Sequence, residues 1–390
     1  MGVAGFAGRP AQSAHRTPGA SSTVEVAYAS HAALARALRA YPARLVRLVA
    51  PLHVAEVRPS GATAVYVRAV RHMRGIVRAR ATVARGAADS AVVGASREWQ
   101  YDAVGVDRVP PYALAAAARI TIAVVDTGAD VTSPALAGKV RETYDVRTGQ
   151  QRVRDRNGHG TFVASLAGGR SRRNGFVGFG GAARLLVVKV SDSTRFSDVA
   201  VAAGIVYGVR HGARIINLSV AGRAPSIVEK AALRYATHHG VLVVAAAGND
   251  ALAGDPPEYP AALLQPVGSN GVSGLGLSVG ASDSNGARAG FSEYGSFVSL
   301  AAPGESVFGA RGGSPRSYGY ASGTSFAAPE VAGVAALVWA ADPKLSFRQV
   351  AAILKQTASG RGAWSPDLGF GVVDAAAAVQ RAASAASATS

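Results

Sequence analysis

Four polar residues in this chain sit at places where polar side chains can do chemistry: Asp126, His159, Asn249 and Ser325. Asp126 follows an apolar run in ITIAVVDTGAD, where a carboxylate either caps a turn or works at a strand end. His159 lies in DRNGHGTFVASLAGG at the head of a helical stretch. The flanking Gly158 and Gly160 remove bulk, which suits an imidazole that faces a cleft and is approached by backbone. Ser325, in SGTSFAAPEVAG, opens a helix predicted from about Phe326 to Ala340. Serine is a common helix N-cap; the N–H groups and dipole of a helix start also stabilise an oxyanion formed beside the hydroxyl. Asn249 closes VLVVAAAGND, where it either makes a turn or donates its amide, with the N–H of Ser325, to a developing carbonyl oxyanion.

Such residues need elements that bring them together. Short apolar runs recur at Ile120 to Val125, Leu185 to Val190, Ile215 to Val220 and Val241 to Ala246. Helical stretches such as Val199 to His211 and Ile227 to His239 fall between them. Runs apolar on both faces and alternating with helices predict an α/β fold: a doubly wound, mostly parallel sheet flanked by helices. Ligands of such sheets bind beyond the carboxyl ends of the strands, which is where Asp126 and Asn249 fall.

Other chemistries match single motifs but not the set. Asp-Thr-Gly-Ala also fits an aspartic protease, which needs two carboxylates sharing a proton, and the chain offers no second Asp-Thr-Gly or Asp-Ser-Gly. Ala327 breaks the Gly-x-Ser-x-Gly elbow, and the chain order Asp, His, Ser differs from that of α/β-hydrolases. GFVGFGG at Gly175 to Gly181 precedes its strand, whereas a dinucleotide fingerprint follows one, so it reads as a Gly-rich turn.

Taken in order and at their separations, VVDTGAD, NGHGTFVAS, INLSVAG, AAAGND and GTSFAAPEVAG resemble the subtilisin-like serine proteases, the subtilase family, over about Trp99 to Val379. The resemblance implies a serine endopeptidase in which Ser325 attacks the scissile carbonyl and His159 takes and returns the proton. Asp126 orients the imidazole, and Asn249 joins the Ser325 N–H in the oxyanion hole. Ser219, Val220, Ala221 and Gly222 would pair with an extended substrate, and Ala247 with Gly248 would form the opposite wall of the pocket. Several positions depart from the family pattern. Ala221 suggests a narrower pocket rim, while Phe326 and Glu330 replace a common Met and His near the nucleophile. Ala135, in ADVTSPALAGK, replaces an Asp that binds calcium in many relatives; no cofactor is expected to be required, and calcium at that site is doubtful.

The N-terminal quarter has its own pattern: a tail over residues 1–22, a strand from Val24 to Tyr28 and a helix from Ala32 to Ala40. One or two strands follow from Ala43 to Arg58, then a helix from Ala62 to Met73 and a strand from Ile76 to Val83. This β-α-β-β-α-β order resembles the inhibitory propeptide of the family. Residues 23–88 are therefore expected to form a small α+β propeptide-like domain and residues 89–97 a linker, with self-cleavage between about Val83 and Arg97. Residues 98–383 are read as the catalytic domain and 384–390 as a tail. The alternative reading is an inactive binding module that keeps the fold, although no triad or oxyanion residue is missing.

The 390-residue chain has a net charge of +17 and no cysteine, which excludes disulfides, thiolate metal sites and a cysteine nucleophile. Residues 1–95 hold 13 Lys and Arg against 3 Asp and Glu, so this quarter carries +10 of the +17. The charge therefore marks the N-terminal module, and nucleic acid is not expected as a partner. No uninterrupted apolar stretch of 18 residues appears, so no membrane span is expected. The expected partners are polypeptide substrates and the chain's own N-terminal module, with the protein a monomer. The start of the chain shows no signal peptide, while the family resemblance implies a secreted or cell-envelope location.

Overall fold

The computed structural model describes residues 22–87, 99–170, 176–312 and 317–388. Near the N-terminus, the alternating VEVAY forms strand β1 (Val24–Tyr28), buried along its length. It lies inside a four-stranded antiparallel sheet of order β2-β3-β1-β4, with β2 at Ala43–Val49, β3 at Val54–Pro59 and β4 at Ile76–Ala81. A short 3-10 turn, Ala50–Leu52, divides β2 from β3; Pro51 lacks the amide that would continue the ladder. Two helices, His31–Ala40 and Thr63–Val70, set Leu34, Ala37, Tyr66 and Val70 against Val24, Val26 and Val57. Ser30 caps the first helix by accepting the amide of Ala33. The element order is the β-α-β-β-α-β order read from the sequence.

The expected N-terminal module ends in one more strand than the sequence reading named. Gly86 and Ala87 belong to a further strand, β5 (Ala84–Ala87). The expected linker, residues 89–97, lies outside the described residues, as do the tail residues 1–21.

The larger domain is built on a seven-stranded parallel sheet of order β14-β13-β12-β10-β6-β8-β7. Its strands are β6 (Thr121–Asp126), β7 (Val140–Asp145), β8 (Arg184–Lys189), β10 (Ile215–Leu218), β12 (Leu242–Ala246), β13 (Leu277–Ser282) and β14 (Leu300–Pro303). Alternate residues feed two cores. Ile122, Val124, Leu185 and Val187 face the layer containing helices His159–Gly168 and Thr324–Ala341. Ala123, Val125, Leu186 and Val188 face the layer of helices Asp198–Arg210 and Ile227–His238. Apolar surface on both faces is what makes the runs continuous in sequence. The order reverses around β6, so Asp126 ends its strand at a switch point of the kind that binds ligands.

The N-terminal module docks on the layer of helices Asp198–Arg210 and Ile227–His238. Ala27, Val49 and Val54 join the apolar core beneath. The Asp198 carboxylate accepts the guanidinium of Arg80 at 2.9 Å, the hydroxyl of Ser226 at 2.7 Å and the amide of Val83 at 3.0 Å. These bonds pin the end of β4 to the N-termini of two helices. From there the chain runs into β5.

Candidate active site

Asp126 and His159 meet because the turn after β6 touches the start of helix His159–Gly168. Asp126 Oδ1 accepts the amide of Thr127 at 2.6 Å and lies 2.7 Å from His159 Nδ1, with both side chains buried. Gly160 permits the approach: a Cβ there would come within 2.1 Å of the Gly128 carbonyl oxygen and 3.0 Å of Asp126 Oδ1. Gly158 precedes the helix at φ 95, a left-handed conformation suited to glycine. Asp155 clamps the two segments, accepting Thr127 Oγ1 at 2.9 Å, Gly158 N at 2.8 Å and Thr161 N at 2.8 Å. Burial opposes ionisation of Asp155, but these hydrogen bonds, with that of the Thr161 hydroxyl, hold its carboxyl below the usual range.

Ser325 is the second residue of helix Thr324–Ala341 and is buried. Its Oγ donates to the Ser219 carbonyl at 3.1 Å, and its own carbonyl accepts the Ser219 hydroxyl at 2.6 Å. The serine is therefore tied to the end of β10. Phe326, the departure from the family pattern next to it, sets its ring 5.7 Å from the His159 ring and 4.7 Å from that of Phe162. Glu330, the other departure, is buried with both carboxyl oxygens lacking a hydrogen-bond partner. Burial pushes its carboxyl well above the usual range, so it is held neutral.

Asn249 follows β12 and is oriented by Thr324, whose amide and hydroxyl both donate to its Oδ1, at 3.0 and 2.9 Å. The Asn249 Nδ2 is buried and has no hydrogen-bond partner. An unsatisfied buried donor is costly, and here it stands beside the serine helix.

The two segments read as substrate-binding follow the adjacent strands β10 and β12. Val220 and Ala221 form a short strand, β11, and an extended chain already lies along it: β5 pairs antiparallel, Ala87 opposite Val220 and Gly86 opposite Ala221. The other edge of β5 pairs with β9 (Arg195–Ser197), Arg85 opposite Phe196. In the second segment, Ala247 N donates to the Val279 carbonyl at 2.8 Å, and Gly248 takes φ 127.

Three carboxylates here left no mark in the sequence. Glu258 Oε2 accepts the Asn249 amide at 3.1 Å, and Glu293 Oε1 accepts that of Asp250 at 3.0 Å. A Cβ on Gly248 would lie 1.9 Å from Glu258 Oε2, so the acidic side chains leave room only for glycine at this position. Burial, then the nearby charge of Asp250, pushes Glu258 up to about 7, and burial pushes Glu293 up to about 10. The third, Glu229, is buried at the start of helix Ile227–His238 and holds Arg85 of β5. Isolated acids in loops and first helical turns have no periodicity or motif to betray them. In the fold the Tyr259 amide donates to the Gly222 carbonyl at 2.9 Å, which ties the neighbour of Glu258 to the first of those two segments.

At Ala135 the side chain packs against Phe176 and Ala310. A methyl group among apolar neighbours does not fit a hard cation that wants carboxylate oxygen. Among the described residues, no cluster of three or more His, Asp or Glu side chains is placed to hold a metal ion.

A doubly wound parallel sheet with an Asp-His pair and a helix-borne serine at its switch point defines a protein of the subtilisin type. A sequence profile of the subtilase family matches residues 117–371, and the chain belongs to that family. It is 36% identical to Subtilisin Savinase of Lederbergia lenta over 263 residues, 67% of this chain and 91% of that one. It is 37% identical to M-protease of Shouchella clausii over 67% of this chain and 64% of the relative. Among solved structures, fervidolysin from Fervidobacterium pennivorans, a keratinolytic enzyme related to subtilisin, superposes with a TM-score of 0.80 at 26% identity. That match covers 92% of this chain and 61% of fervidolysin. The chain thus spans just under two thirds of the length of M-protease and of fervidolysin.

Proposed function

We propose that this chain is a serine endopeptidase made as a self-inhibited, self-processed zymogen, with Asp126, His159 and Ser325 as its triad. An ionised Asp126 only accepts hydrogen bonds, so the 2.7 Å contact puts the ring hydrogen on His159 Nδ1 and leaves Nε2 as the base. Nε2 takes the proton as Ser325 Oγ bonds to the scissile carbonyl carbon. The tetrahedral oxyanion is met by Asn249 Nδ2 and the Ser325 N–H. The C–N bond then breaks as the imidazolium gives its proton to the leaving amine, and water releases the acyl group by the same steps in reverse order.

The observation that carries the zymogen reading is β5. The chain's own strand occupies the place of an extended substrate, central in the small sheet β11-β5-β9. Residues 23–88 act in this proposal as the inhibitory module and 98–383 as the catalytic domain. Polypeptides are the substrates, and by likeness to the family the setting is secreted or cell-envelope. Tethering keeps the strand at high effective concentration, so the first bond cut is internal.

The test is intact mass of wild type and Ser325→Ala purified in parallel. Wild type is expected to lose its N-terminal module by a cut between Val83 and Arg97, while Ser325→Ala stays full length. Trimming of Ser325→Ala at the same bond would refute self-processing. A wild type that is never trimmed and never active would favour an inactive binding module instead.

A further inference from the structure

The guanidinium of Arg85 is among the most buried cationic groups of the molecule, at 0% side-chain exposure, and Glu229, its partner, is equally buried. The contact is a fork: Arg85 Nε donates to Glu229 Oε1 at 3.0 Å while Nη2 donates to Oε2, and Nη1 donates to the Ala84 carbonyl at 3.1 Å. Glu229 is fixed from behind. It sits in the first turn of its helix, and its amide donates to the N-cap Ser226 at 3.2 Å. Gly222 completes the niche, since a Cβ there would lie 3.2 Å from Arg85 Nη1 and 3.3 Å from its Cδ.

This pair is more than a structural tie, because its two halves part company if the strand leaves. Arg85 belongs to the segment lying in the cleft, and Glu229 to the domain that bears the triad. Arg80 also leaves with the module, and its partner Asp198 stays. The vacated niche would then hold the Glu229 carboxyl without its cation, the situation in which a site selects strongly for a group that restores the charge and the hydrogen bonds.

Resting on the peptidase reading above, we propose that Glu229 is a specificity-determining residue that selects arginine in substrates, three residues ahead of the residue whose carbonyl Ser325 attacks. The offset follows from the register. Ala87 lies opposite Val220, so the next residue of a substrate in this place stands opposite Ser219, whose carbonyl accepts the Ser325 hydroxyl. That position is three beyond the arginine. Arginine is favoured over lysine because the planar fork meets both carboxylate oxygens at once, whereas an ammonium meets them as a point charge.

The test uses the self-processed enzyme and a series of peptides built on the chain's own ARGAADS, with Arg, Lys, Ala or Glu at the second position. The Arg peptide is expected to exceed the Ala peptide in kcat/KM by on the order of 10²-fold, with Lys between them and Glu lowest. In Glu229→Gln the Arg-to-Ala ratio should fall to within about threefold. Should that variant fail to accumulate, the wild-type series alone decides. Cleavage of Arg and Ala peptides at equal kcat/KM would overturn this inference and leave the peptidase reading standing. Absence of any cleavage, with Ser325 unlabelled by a fluorophosphonate, would overturn both.

Discussion

Thr324 grips the carboxamide oxygen of Asn249 twice, through its amide at 3.0 Å and its hydroxyl at 2.9 Å. With the oxygen so held, the Asn249 Nδ2 is left facing away from Thr324, buried and without a partner. A donor preorganised in this way bonds a developing oxyanion more strongly than a ground-state carbonyl. Asn249→Ala is therefore expected to lower kcat by about 10² to 10³ with little change in KM. That size is the one known for removal of an oxyanion-hole asparagine in subtilisin. A loss confined to KM in steady-state assays would mean that Asn249 only shapes the pocket.

Hydrolysis of unfolded protein should be abolished by a fluorophosphonate and untouched by a transition-state mimic of aspartic proteases. The chain has a single Asp-Thr-Gly, and Asp126 is engaged with His159 at 2.7 Å rather than with a second catalytic carboxylate. Sensitivity to the aspartic inhibitor alone would reverse the assignment.

Gly160→Ala tests the seam between the β6 turn and the histidine helix. Its Cβ would fall 2.1 Å from the backbone oxygen of Gly128, and backbone yields less readily than a side chain. A loss of about 3 kcal/mol in unfolding free energy is expected, measured in Ser325→Ala to prevent self-digestion. A variant as stable as its parent would show that the seam is looser than drawn.

Glu258 links stability to pH. Its carboxyl stands at about 7 in the fold, chiefly through burial, against 4.5 ordinarily, so the folded form binds the proton more tightly. Its contribution is fully present below pH 4.5 and is lost as pH rises to about 7, by about 3 kcal/mol. In the Ser325→Ala background, Glu258→Gln should therefore gain on its parent in melting temperature between those two values. Parallel melting curves across the range would rule out a titrating Glu258.

Chelation should leave the melting temperature within about 2 °C, since Ala135 brings a methyl group where a carboxylate would be needed. A large fall that added calcium restores would reveal a cation site elsewhere in the chain.

Much of this protein is written locally. The runs that became β6, β8, β10 and β12 were legible because strands buried on both faces are apolar at most positions. Asp126, His159, Asn249 and Ser325 were legible because each sits at the junction of such a run or helix with a glycine-bearing turn. By contrast, β7 (Val140–Asp145, VRETYD) passed unread: at the sheet edge it is only partly buried, so its sequence carries polar residues and no strict alternation. The seating of Ala84–Ala87 between β11 and β9, and the union of Arg85 with Glu229 across 144 residues, were decided only in three dimensions. A lone arginine in a basic stretch and a lone glutamate in a first helical turn each look like solvated surface. Only the fold that removes both from water makes them partners, because a buried charge is tolerable only where an opposite one is delivered to it.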